Sequence, residues 1–357
     1  MRKIFLLGLT FLLLGAFLFA DDAMVMPRRV GRFYLAPTFI SANESFDRDG
    51  NRNKMDSMSM FNLGAALEHG VNDWITFALQ WAPGMNFWSD FDMKLQNPMT
   101  GELSASQIKL EDMGDLVVGA KIQFVGRNAP KRSEKVRLAF APGIWVPLTT
   151  GPDFEKQQEN LINGADATLG TLDNHVLGLG LRSYLDYIFN EHFFVNFYNE
   201  ISYYPIRQEV QKTGYQQFAT LQGLNAAFAN FGTEIEGLTN HVYDLTFEIE
   251  PRYTRHIVQG TVLEIGLPVT YKTVPEIEYS FGATGPAADM AVDAAKNAFL
   301  GMSERSQLLA VNPGIAIFFM NWTMPIQFKL TYSVPVWGEN TSANNVLGMQ
   351  ARFYYRI

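Results

Sequence analysis

From Tyr243 to Thr254 the chain reads YDLTFEIEPRYT, and every second residue is polar: Asp244, Thr246, Glu248, Glu250, Arg252 and Thr254. On an extended strand, residues two apart share a face, so these groups form a ladder rather than a compact catalytic cluster. A ladder of this kind can steer charged or polar solutes, or it can lock into ion pairs. Lys121, Arg137, Arg182, Glu200, Lys329 and Arg352 occupy the same alternating position in other segments. With Glu248, Glu250 and Arg252 they are the candidate lumen-lining residues. Glu68, Asp186, Asp244, Glu264, Lys272 and Arg356 share the face. Both signs occur in similar number, which suits either a wet, charge-lined conduit or internal ion pairs stiffening a closed barrel.

Signs of catalysis are poor. The chain has 5 histidines. His69, His192 and His256 fall in predicted short turns. His175 and His241 lie at the ends of long loops, near Asp173 and Asp244. An acid–base pair there needs a nucleophile or an activated water within hydrogen-bond reach, and no motif supplies one. DRDGNRNKMD at Asp47–Asp56 has the acidity of a calcium loop but lacks its closing Glu. There is no phosphate-binding Gly-rich loop and no metal-ligand spacing. Neither an enzyme, nor a cofactor, nor a metal is expected.

The elements that carry the ladder read as long strands. Leu116 to Phe124, Leu263 to Tyr271 and Ile326 to Val334 alternate in the same way. About twelve segments do so: 30–41, 58–68, 74–86, 113–125, 136–148, 175–189, 193–206, 241–254, 261–273, 308–319, 326–337 and 347–357. Most exceed the mean of about 5 or 6 residues in soluble proteins. A tilted strand crossing a bilayer needs about 9–11. Connections alternate too. His69–Asp73, Gly126–Lys135, Asn190–His192, Arg255–Gly260 and Met320–Pro325 are short. Ala42–Ser57, Phe87–Asp112, Thr149–Asn174, Arg207–Asn240, Pro275–Gln307 and Gly338–Val346 are longer. Antiparallel neighbours joined this way gather the long loops at one end, as in outer-membrane barrels with short periplasmic turns.

The predicted fold is therefore an all-β, transmembrane, antiparallel up-and-down barrel of about twelve strands. Helical spacing in Tyr215–Glu234 and Pro286–Arg305 predicts short helices in two extracellular loops, lying outside or folding inward to constrict the lumen. Aromatic residues near the strand ends predict two interfacial girdles: Trp74, Tyr187, Phe189, Phe193, Trp322, Phe353 and Tyr355 at the short turns, and Phe87, Trp88, Tyr203, Tyr204 and Trp337 at the loops.

Composition agrees with this reading. Of 357 residues, 47% are hydrophobic and only 18% charged, and the net charge of -8 argues against a nucleic-acid partner. Arg2, Lys3 and the apolar run Ile4–Phe19 predict a signal peptide over 1–20, followed by the barrel over 21–357. Cysteine is absent, so neither disulfides nor a lipid anchor at the cut is available. About ten residues precede the first strand, too few for a folded N-terminal plug domain. The closing GMQARFYYRI resembles the terminal strand read by the barrel-assembly machinery, with Ile357 where Phe or Trp is usual.

Three pieces carry a family resemblance: LEHGVNDWITFAL (Leu67–Leu79), GDLVVGAKIQF (Gly114–Phe124) and LAFAPGIWVPLTTG (Leu138–Gly151). They resemble strand–turn–strand elements of the outer-membrane barrels named for the MetA pathway of phenol degradation. The resemblance implies a channel in the cell outer membrane for small solutes, hydrophobic or aromatic ones included. The expected function is thus porin-like passive diffusion, with membrane lipid and small solutes as partners. The alternative is a closed structural barrel whose external loops bind host or environmental ligands.

Overall fold

The computed structural model describes residues 22–92, 108–110, 113–170, 172, 175–240, 242–302 and 304–356. The predicted signal segment and the candidates Asp173 and His241 lie outside these residues.

The period-two segments form a closed antiparallel barrel of 12 strands. They are β1 (Val30–Phe46), β2 (Arg52–Asn72), β3 (Ile75–Phe91), β4 (Leu116–Gly126), β5 (Val136–Val146), β6 (Gly178–Ile188), β7 (Phe193–Tyr204) and β8 (Val242–Val258), then β9 to β12. β9 and β10 are each split, into Thr261–Gly266 with Val269–Val274 and Ser306–Val311 with Gly314–Phe319. β11 is Ile326–Glu339 and β12 is Asn345–Arg356. The last strand returns to the first, with Val30 opposite Arg356 and Ser41 opposite Asn345. Closure leaves no unpaired edge, which hydrocarbon does not tolerate.

The splits have a common cause. Pro268 and Pro313 have no N–H to give the ladder. Each break is bridged through a proline carbonyl: Asn312 N donates to Pro268 O at 2.8 Å, and Tyr332 N to Pro313 O at 3.0 Å.

The two faces sort as the pattern requires. On β8, Phe247 and Ile249 are 47% and 50% exposed, while Glu248 and Glu250 are 4% and 2% exposed. Phe33 and Phe39 of β1, Leu181 and Leu185 of β6 and Phe328 and Leu330 of β11 also face outward. The exterior is an apolar belt suited to acyl chains, and the interior is polar. This is the fold of an outer-membrane barrel. Tyr187, Phe189 and Trp322 are exposed near the short turns, and Phe87, Trp88 and Trp337 near the loops. Tyr204 departs from the predicted girdle and points inward, buried.

The loops depart further from expectation. Ala42–Ser57 is not a loop: β1 and β2 run 17 and 21 residues and meet in a tight turn. At its tip the Asp47 carboxylate accepts from the amides of Asn51 and Asp49, which hold its pKa below the usual value. Thr149–Asn174 contains a helix that the pattern does not mark, α1 (Phe154–Ile162), capped by the Asp153 side chain. The two predicted loop helices are present as α2 (Tyr215–Phe228) and α3 (Ala288–Phe299). With the paired strands Glu234–Thr239 and Tyr279–Thr284 they build a small external cap. Its own core contains Val210, Leu221, Ile235, Ala291, Ala295 and Phe299.

Candidate functional site

Every candidate lumen residue lies on the interior face of its strand. Arg182 on β6 is the busiest. Its Nε donates to Glu200 Oε2 of β7 at 2.5 Å, its Nη1 to Gln80 Oε1 of β3 at 2.5 Å, and its guanidinium lies 5.3 Å from the Trp145 ring centre. Glu200 Oε2 also accepts from Tyr198 Oη at 2.5 Å. These contacts draw β3, β5, β6 and β7 together across the interior. Room for the indole comes from Gly180, where a Cβ would lie 1.9 Å from the Trp145 ring.

Toward the short turns a second set forms. Arg137 pairs with Asp186 at 2.6 Å, and Arg252 with Glu250 at 2.5 Å. Lys121 Nζ lies 4.2 Å from the Tyr184 ring centre. Arg352 is held by Gln350 at 2.8 and 2.6 Å and stands 5.7 Å from the Tyr34 ring centre, with Arg32 at 5.6 Å from the same ring. Arg32 pairs with Glu68 at 2.8 Å. Glu248 accepts from Thr270 at 2.7 Å, and Lys329 faces the interior half-buried from β11.

Sequence reading missed the N-terminal segment. A folded plug domain is absent from the described residues, yet Asp22–Pro27 enters the lumen from the short-turn end. The segment is held by its main chain. Lys121 Nζ donates to Asp22 O at 3.0 Å, and Gln123 Nε2 to Ala23 O at 2.7 Å. Ala23 N donates to Asp186 at 3.2 Å, and Met26 N to Thr76 Oγ1 at 2.7 Å. The Asp22 carboxylate reaches Arg252 at 3.4 Å. Beside the segment lies a cavity of about 740 Å³, lined in part by Arg32, Arg137, Arg252, Arg352, Met24 and Phe318. No periodicity could announce these contacts, because most are main-chain contacts and the segment is irregular.

The outer end is obstructed differently. Leu161 of α1, with Ala167 and Leu172 beyond it, packs on inward-facing Ile40 and Ala42 of β1, Met58 and Met60 of β2 and Val346 of β12. The loop between β5 and β6 therefore folds inward. Of the two placements left open for the predicted helices, α2 and α3 take the outer one, in the cap; Phe154 of α1 meets Tyr215 and Phe218 of α2 at 6.2 and 6.1 Å. The apolar outer mouth and the ion-paired inner lumen are thus filled by different chemistry.

Of the histidines, His175 Nδ1 lies 3.0 Å from Thr149 Oγ1 and His192 Nδ1 lies 3.1 Å from Thr254 O. Among the described residues no group of three or more His, Cys, Asp or Glu is placed to hold a metal.

No family model matches the chain, and neither does any curated protein. The likeness to MetA-pathway barrels therefore rests on the quoted hairpin pieces alone. The barrel does superpose on an outer membrane channel from Pseudomonas putida F1, at 12% identity and a TM-score of 0.56, over 94% of this chain and 99% of that one. Weaker likenesses join it to the CymD monoaromatic hydrocarbon channel (8% identity, 93% and 89% of the two chains, TM-score 0.35) and the NanC porin (8%, 89% and 98%, TM-score 0.34). The first of these shows a shared barrel fold; the other two are too distant to bear on function.

Proposed function

We propose that the chain is an outer-membrane channel through which small solutes, hydrophobic or aromatic ones included, diffuse passively once two non-covalent obstructions move. One observation carries the reading. The interior face is polar and charged, and what fills it is a loop and the segment Asp22–Pro27 rather than wall side chains alone. A purely structural barrel has no need of a displaceable filling. Solute size and charge are then selected by pore width and by the lumen residues Lys121, Arg137, Arg182, Glu200, Glu248, Glu250, Arg252, Lys329 and Arg352. The apolar packing under α1 supports entry of solutes that can replace Leu161 and Leu172 against Met58 and Met60.

Planar-bilayer recording tests this. Replacing residues 153–170 with a short Gly-Ser link and deleting residues 22–27 is expected to convert brief or absent openings into steady single-channel steps. Folded wild type and variant that both stay silent favour the second reading, a closed barrel that binds ligands through its loops. That reading draws on the separately cored external cap.

A further inference from the structure

The cavity of about 740 Å³ beside the N-terminal segment falls within the usual size of small-molecule sites, about 300–1,000 Å³. Its rim lies at the short turns, where Asp73, Arg127 and Glu134 are exposed. Its inner wall carries charge and apolar surface side by side. Strand register sets Phe318 of β10 opposite Gln327 of β11, Gln327 opposite Arg352 of β12, and Arg352 opposite Tyr34 of β1. These four make one row across the wall. Arg32 and Tyr354, opposite each other, make the next row toward the turns. Arg32, Arg352, Gln327, Tyr354 and Phe318 all line the cavity.

The two guanidiniums converge on one spot. They lie 5.6 and 5.7 Å from the centre of the same ring, Tyr34, and Arg32 is also 5.9 Å from the Tyr354 ring. The Tyr354 ring in turn lies 4.9 Å from that of Phe318. Two cations therefore adjoin an aromatic pair inside one space, and Met24 and Met26 of the N-terminal segment border it.

Neighbouring groups set the charge this space accepts. Arg32 is tied to Glu68 at 2.8 Å. Arg352 donates to the amide oxygens of Gln350 and Gln327, which carry no formal charge. Of the acids that line the cavity, Asp22 is engaged by Arg252 at 3.4 Å, Glu264 by Gln327 at 3.0 Å and Glu134 by Arg127 at 3.8 Å. These carboxylates oppose a second negative charge, so a monoanion fits better than a dianion. A guanidinium presents a planar fork of N–H donors that matches a carboxylate, and such bonds strengthen where water is scarce.

We propose that this cavity binds a small organic monocarboxylate with an aromatic body, its carboxylate at Arg352 and Arg32 and its ring against Tyr354 and Phe318. The site names a solute class for the channel proposed above and rests on that reading. It is a stopping place at the short-turn end of the lumen.

Isothermal titration of the full-length barrel, refolded in detergent, tests this with benzoate, against a blank of detergent alone. Benzyl alcohol lacks the charge and acetate lacks the ring. Benzoate is expected to saturate at one per barrel. Each of the other two should bind about tenfold more weakly or worse, through loss of a charge-assisted hydrogen bond or of the ring's burial. Arg352→Gln should weaken benzoate by about tenfold or more and leave benzyl alcohol unchanged. Should that variant fail to fold, Phe318→Ala should weaken benzoate several-fold and leave acetate unchanged. Benzoate binding that never saturates, that either simpler probe matches, or that the folded variant leaves intact overturns the site. Saturable binding by a barrel that never conducts sinks only the channel reading; conduction without such binding sinks only the carboxylate site.

Discussion

Arg182 shows what a single side chain does inside this barrel. Burial of a guanidinium is costly, and the cost is offset here by Glu200, Gln80 and the Trp145 face together. Arg182→Ala leaves Glu200 buried with only hydroxyl partners. The expected destabilisation is about 3–5 kcal/mol, the usual consequence of stripping one member of a buried pair. Urea unfolding in micelles measures it. The double change Arg182→Leu with Glu200→Leu should recover most of the loss, because no charge is then stranded. If the double variant is as unstable as the single, the pair is not what closes this level of the lumen.

At the scale of elements, the N-terminal segment and α1 act as two closures built from different forces. Asp186 joins the first closure to the wall, since it takes both Arg137 and the Ala23 amide. Asp186→Asn keeps the shape and removes the charge. The segment should then leave the lumen for part of the time, and protease added from the short-turn side should cut within residues 22–29 several times faster than in wild type. An unchanged cleavage rate would mean that Lys121 and Gln123 hold the segment without it.

These two elements also mark where sequence reading runs out. Glu248, Glu250 and Arg252 announce themselves because period two and a lipid-facing partner such as Phe247 leave no other face for them. Arg32 is less legible: its face continues as Tyr34, Ala36, Thr38 and Ile40, a mixture that fits either side. Pro268 and Pro313 lie inside segments read as continuous strands, although a proline in a strand is itself a sign of a break. For α1, FEKQQENLI buries only Phe154 and Leu161, too few apolar positions to set a helical period. The extension of β1 and β2 runs through residues 52–57, polar but for Met55, which packs inward, so no apolar side faces lipid and hydropathy cannot follow it.

For the whole molecule, the decisive property is that its greasy surface is outside. Leu181 projects outward from β6, between the exposed Leu179 and Leu185, and is 44% exposed. Leu181→Arg should cost about 1–4 kcal/mol of stability in bilayers, the penalty for a cation between the membrane interface and its midplane. The neighbouring inward position, Gly180, answers to packing instead: Gly180→Val must push the Trp145 ring aside. Equal tolerance of arginine at 181 and at a soluble-protein surface would contradict a lipid-embedded belt.

The β1–β2 hairpin gives this barrel a reach beyond its membrane. Its second strand, 21 residues long, extends roughly 70 Å at about 3.3 Å per residue. Tilted by about 45°, it stands some 50 Å tall, roughly 20 Å more than the hydrocarbon it crosses. The Asp47–Asn51 tip thereby stands clear of the hydrocarbon on the long-loop side, the outer side in barrels of this kind. An epitope tag inserted after Gly50 should be stained on intact, unpermeabilised cells, and the hairpin would then serve as a ready mast for surface display.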